Sequence, residues 1–132
     1  MNKNYDKIET INSSSPNYPH TTTNFFLDNE IVQKNFIDSE EDTTEYFKNG
    51  KLHKDSEPAV IIKDASGFQF KYYDNGELHR KDGPAIVFAS YPNLNKWYIN
   101  GKQLSTTEIV VQKIKNTRDS ILNNNIFTKK MQ

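Results

Sequence analysis

Short runs of alternating apolar and polar residues fill the middle of this chain. Asn-Gly pairs divide them at near-constant spacing: Asn49-Gly50, Asn75-Gly76 and Asn100-Gly101, separated by 26 and then 25 residues. Asn-Gly between β-prone residues predicts a two-residue type I′ hairpin, because that turn needs positive φ at both central positions. Turn geometry then sets the cross-strand pairs. On one face Phe47 lies opposite Leu52, Tyr73 opposite Leu78 and Tyr98 opposite Gln103. On the other, Tyr46 faces His53, Tyr72 faces His79 and Trp97 faces Leu104.

The segments around these turns are copies of one another. Tyr46 to Ala59 repeats as Tyr72 to Ala85, and Trp97-Tyr98-Ile99-Asn100-Gly101 begins a third copy. Each complete copy ends in a polar corner with proline (Pro58, Pro84), followed by an apolar strand, Ala59 to Ile62 or Ala85 to Phe88. Turn residues at Asp64-Ala65-Ser66-Gly67 and Ser90-Tyr91-Pro92-Asn93 return the chain. The predicted fold is mainly β: an antiparallel β-hairpin repeat array over 45–104, in which each unit buries its apolar side against the next.

The flanks differ. Phe25-Phe26-Leu27-Asp28-Asn29-Glu30-Ile31-Val32 has the shape of a hairpin, pairing Phe26 with Ile31 and Phe25 with Val32, and makes 24–44 a degenerate N-terminal repeat or cap. The apolar positions 27, 31, 32 and 36 also allow a short helix from Asp28 to Phe36. Residues 1–23, rich in Asn, Ser, Thr and Lys, hold little that could offset the entropy of ordering, and read as a disordered, flexible N-terminal arm. Ser105-Thr106-Thr107-Glu108 has the form of a capping box. It opens a C-terminal capping helix over 105–123, with Val110, Ile114, Thr117 and Ile121 on one stripe and Val111 and Leu122 beside it. That stripe either closes the open end of the array or meets a partner. Residues 124–132 read as a frayed tail.

Composition narrows the function. Seventeen basic and seventeen acidic residues cancel, so no nucleic-acid partner is expected from charge. The chain has no cysteine, which removes disulfides, thiolate catalysis and Cys-ligated zinc. No basic start with apolar stretch and cleavage site, and no membrane-length apolar run, occurs, so a soluble intracellular chain without a membrane span is expected. Lysine outnumbers arginine fifteen to two, a bias of AT-rich coding genomes.

His53 and His79 share one repeat position, which invites a metal or acid-base reading. The third copy holds Leu104 in that column, opposite Trp97. An exchange of Tyr with His for Trp with Leu is what a packing position tolerates, so leucine in place of His79 is expected to be accepted. Asp82-Gly83 near His79 is Ser56-Glu57 in the other copy, so no acid-base couple recurs. No nucleophile elbow, phosphate loop or HExxH run is present. No catalytic, cofactor or metal residue is assigned, and the expectation is a non-enzyme without cofactor.

The repeat signature comprises Tyr46, Asn49, Gly50, His53, Tyr72, Tyr73, Asn75, Gly76, His79, Pro84, Trp97, Asn100 and Gly101. It resembles the repeat family with the pattern Trp/Tyr-Tyr-x-Asn-Gly-x-Leu-His-Arg-x-Asp-Gly-Pro-Ala, which occurs in giant amoebal viruses and phages and is related to the bacterial variant of the MORN repeat. The resemblance covers about Glu45 to Ser105. It implies a MORN-like meander of stacked hairpins, a virus-encoded chain in host cytoplasm or virion, and a non-catalytic scaffold or interaction module with an unidentified protein partner. The alternative it leaves open is an inhibitor or immunity-type protein that neutralises a toxin or defence enzyme. Exposed edge strands also make a homodimer an expectation. The first copy departs from the pattern at Ser56-Glu57, where the corner cannot use glycine's freedom at positive φ.

Overall fold

All three Asn-Gly pairs make hairpin turns with positive φ at both residues in a computed structural model that describes residues 4–130. Four short strands precede the first of these turns: β1 (Lys7–Asn12), β2 (Thr21–Leu27), β3 (Glu30–Ile37) and β4 (Asp42–Lys48). From there the chain runs through β5 (Lys51–Leu52), β6 (Val60–Asp64), β7 (Gly67–Lys71), β8 (Tyr73–Asp74), β9 (Glu77–Leu78) and β10 (Ile86–Phe88). Beyond a 3-10 turn at Pro92–Leu94 lie β11 (Tyr98–Ile99), β12 (Lys102–Gln103) and α1 (Thr106–Lys130). The protein is thus mainly β, with antiparallel sheets and one C-terminal helix.

The principal sheet is a meander in the order β1-β2-β3-β4-β6-β7-β10, with β5 paired to β4. The hairpins β8-β9 and β11-β12 form separate two-stranded sheets. Registers agree with the turn geometry: Phe47 pairs with Leu52, Tyr73 with Leu78 and Tyr98 with Gln103. On the other face, His53, His79 and Leu104 donate their amides to the carbonyls of Tyr46, Tyr72 and Trp97 at 3.0, 3.0 and 2.8 Å. Gly76 has φ +87°, where a β-branched residue is sterically opposed. Gly76→Val is expected to cost about 1–2 kcal/mol, measured as a lowered urea midpoint; an unchanged midpoint would refute the role given to this turn.

Three expectations change. Residues 7–12 of the expected arm form β1, which pairs with β2 from Lys7↔Phe26 to Asn12↔Thr21; Met1 to Lys3 lie outside the described residues. Local composition alone could not order this segment. It is held by a partner strand and by Tyr5, whose hydroxyl donates to Gln33 Oε1 at 2.7 Å and whose ring sits 4.8 Å from Phe25. Residues 28–36 form a hairpin and not a helix, with Asp28 and Asn29 both at positive φ. Phe26 does pair with Ile31, but a bulge between Phe25 and Phe26 places Phe25 opposite Gln33 instead of Val32. Finally, α1 continues through the expected tail to Lys130, since Asn123 to Asn125 only lower helix propensity and present no Gly or Pro stop. Met131 and Gln132 lie outside the described residues.

The helix begins as its sequence predicts. Glu108 N–H donates to Ser105 Oγ at 3.2 Å and Ser105 N–H to Glu108 Oε1 at 3.3 Å, the reciprocal bonds of a capping box. Hydrogen bonding to its carboxylate from the Ser105 backbone N–H, and then from the Ser105 side chain, holds the Glu108 carboxyl below the usual range.

The core is thin. Ala59 and Ala85 are fully buried and Val60 nearly so, while no large side chain is fully enclosed. The accessible surface is 9646 Å², against about 7,100 Å² for a compact monomer of this mass. A single layer of sheet with hairpins leaning on one another accounts for the excess. Surface, not a cavity, is what this fold offers.

Candidate functional site

A groove of about 320 Å³ crosses two successive hairpins and contains both repeat histidines. The copies deliver equivalent pairs to it, His53 and Lys54 from the corner after β5 and His79 and Arg80 from the corner after β9, and each corner adds an aspartate at a different position, Asp55 and Asp82. Their bonds decide what the groove can do.

Each histidine reaches forward to the next hairpin. Asn75 N–H donates to His53 Nδ1 at 3.0 Å, and Asn100 N–H donates to His79 Nδ1 at 2.9 Å. Beside each of these bonds runs a main-chain one: Gly76 N–H to Leu52 O and Gly101 N–H to Leu78 O, both 2.8 Å. The first two Asn-Gly hairpins thus each hold the turn of the next one by two adjacent bonds. A backbone N–H can only donate, so Nδ1 is the acceptor and Nε2 carries the proton. For His53 that proton goes to Asp55 Oδ1 at 2.8 Å, and this bond holds the Asp55 carboxyl below its usual range. Asp74 Oδ1 lies 3.2 Å from His53 Nδ1. With Nδ1 unprotonated this approach is no ion pair, and the hydrogen bond from Asn75 is the one we assign.

The role of the histidine column therefore differs from simple cross-strand packing. Leu104 occupies it in the last copy because no turn follows that needs an acceptor, not because hydrocarbon serves as well. The sequence carried that signal, since histidine is present in the copies that have a successor and absent from the one that lacks it.

Two cations of the groove, Lys54 and Arg80, are also engaged. Lys54 Nζ lies 3.8 Å from the centre of the Tyr46 ring and 2.9 Å from Glu57. The Arg80 guanidinium lies 4.0 Å from the Tyr72 ring, with Nε donating to Asp82 at 3.1 Å and an Nη to Pro84 O at 3.2 Å. These contacts explain the corner that differs between copies. Gly83 does not have positive φ; a Cβ there would lie 2.9 Å from Arg80 Cζ. Glycine makes room for the broad guanidinium, whereas the slimmer Lys54 accepts Glu57 and pairs with it. The positive φ of the first copy's corner falls on Ser56. Among the described residues, no three of His, Asp and Glu come together in a way that could hold a metal.

The second candidate surface is α1. Its first three turns lie along the last hairpins: Ile109, Gln112 and Asn116 are half-buried, and Asn116 Nδ2 donates to Lys81 O at 2.7 Å. Lys113 Nζ lies 5.9 Å from the Trp97 ring. From Thr117 to Asn125 every side chain is exposed. The apolar stripe faces away from the sheet, with Val110 52%, Ile114 62%, Ile121 54% and Leu122 51% exposed. The helix does border the last hairpins, but through Ile109, Gln112 and Asn116 and not through that stripe. No helix among the described residues is long and apolar enough to cross a membrane.

No family model, curated protein or solved structure matches this chain.

Proposed function

We propose that this chain is a MORN-like repeat protein that works as a non-catalytic, intracellular protein-interaction module. The observation that carries the reading is the division of labour just described. The groove's two histidines bond one hairpin to the next and its Lys54 and Arg80 are engaged within their own units, while the aliphatic stripe of α1 stands in water. Contiguous exposed aliphatics of this kind mark contact surfaces in water-soluble proteins. The MORN-like resemblance supports the same reading, because such arrays serve as scaffolds.

The test is affinity capture of the tagged full chain from cells that express it, after chemical cross-linking. A protein recovered at near-equal stoichiometry is the expected result. Recovery of no protein would overturn the reading, and recovery of an enzyme silenced at one-to-one stoichiometry would shift it to an inhibitor.

A further inference from the structure

The stripe on α1 has borders of one sign. Val110, Ile114, Thr117 and Ile121 follow a four-three-four spacing, the seam of a helix that packs lengthwise on another. Lys113 flanks this seam on one side and Arg118 on the other. The helix's described carboxylates are placed elsewhere: Glu108 is bonded to Ser105 at the cap, and Asp119 lies round the helix from the seam. Arg118 Nε is 4.0 Å from Asp119, a pair exposed to solvent on both sides, which leaves the guanidinium available to a stronger partner.

This charge pattern selects among occupants. A second copy packed in parallel would set Lys113 against Arg118 of the other helix, twice, which is repulsive. A second copy packed antiparallel, with Ile114 against Thr117, would form no ion pair with either cation. A helix with acidic residues beside its own apolar seam satisfies both. The fold also gives α1 a reason to need such a partner. From Thr117 to Asn125 the side chains of this 25-residue helix are exposed, so that stretch draws no burial from the sheet, and isolated helices shorter than about 12–15 residues are marginal in water.

We infer that α1 docks an acidic-flanked amphipathic helix of another protein, seated on Val110, Ile114, Thr117 and Ile121 between Lys113 and Arg118. The inference rests on the interaction-module reading and specifies the partner's chemistry. It is tested with the full-length protein and two synthetic 21-residue helical peptides. Both carry leucine at the seam; one carries Glu and the other Lys at the flanking positions.

Fluorescence anisotropy is expected to give binding of the Glu peptide about tenfold tighter than the Lys peptide, weakening as salt is raised. Lys113→Glu/Arg118→Glu is expected to reverse the preference. Arg118→Glu alone, at an exposed position, should reverse it in part, and guards against disturbance at Trp97. Ile114→Asp, with helix content checked by circular dichroism, should abolish binding of either peptide. Equal affinity for the two peptides, a preference unmoved by the charge reversals, a chain that sediments as a dimer through this stripe, or binding to phosphatidylserine vesicles in place of the Glu peptide would each overturn the inference. A chain that captures a stoichiometric protein yet ignores both peptides overturns it while leaving the interaction-module reading intact.

Discussion

Leucine at position 85 is expected to destabilise the protein by about 1–3 kcal/mol, the largest effect predicted for any single side chain here. Ala85 is wholly buried, and its carbonyl accepts the Tyr72 amide at 2.8 Å, so the backbone cannot withdraw without breaking the join between corner and hairpin. Ala59 repeats the arrangement one unit earlier, fully buried and bonded to the Tyr46 amide at 2.8 Å. Overpacking is relieved in most proteins by shifts of surrounding core side chains, but the surroundings here are main chain and a thin layer of half-buried residues. Urea denaturation reads the effect directly. Ala65→Leu, at an exposed turn, serves as the matched control and should stay within about 0.5 kcal/mol. Equal midpoints for the two variants would sink the claim that the alanines are the tightest points of the fold.

The double variant His53→Leu/His79→Leu is expected to lose about 2 kcal/mol, roughly 1 for each hydrogen bond removed. Shape is not at issue, because Leu104 already fills the equivalent position of the last hairpin. What leaves is the acceptor, so the amides of Asn75 and Asn100 must turn to water. Asn75 and Asn100 are themselves exposed, and this keeps the cost below that of a fully buried unpaired donor. Amide hydrogen exchange gives the specific readout. Exchange at Asn75 and Asn100 should accelerate by about fivefold, the factor that about 1 kcal/mol carries, while the Asn49 amide, which has no such acceptor among the described residues, should keep its rate. Unchanged exchange at both sites would return the histidines to a packing role.

Much of the hairpin geometry was legible because a type I′ turn constrains what lies opposite what. Once Asn49-Gly50 was taken as a turn, Phe47 had to meet Leu52, and the same arithmetic placed the pairs around Asn75-Gly76 and Asn100-Gly101. The arithmetic failed where an extra residue entered the ladder, at the bulge between Phe25 and Phe26, since nothing in the local sequence fixes where a strand will slip. β1 was illegible for another reason. Lys7 to Asn12 alternates weakly, with only Ile8 and Ile11 apolar and both exposed, so its order comes from pairing with β2 and not from its own pattern. The histidines were noticed but misjudged, because comparing columns reveals which residues exchange and not what each one faces in the next unit. The helix stripe was visible in the sequence; which way it pointed was not, since periodicity gives a face but no direction.

Leu104 carries a consequence for growth. Two units joined by an amide-to-carbonyl bond and an amide-to-imidazole bond could in principle go on adding units, and a protein whose last element matched its first would add whole molecules end to end. Here Gln103 could still offer its carbonyl to the Asn49-Gly50 turn of a second molecule, but Leu104 offers that turn only hydrocarbon. Thr107, Val111 and Gln112 of α1 border the same end. The replacement of one nitrogen acceptor by hydrocarbon thus removes, at this end, one of the two bonds that join each hairpin to the next.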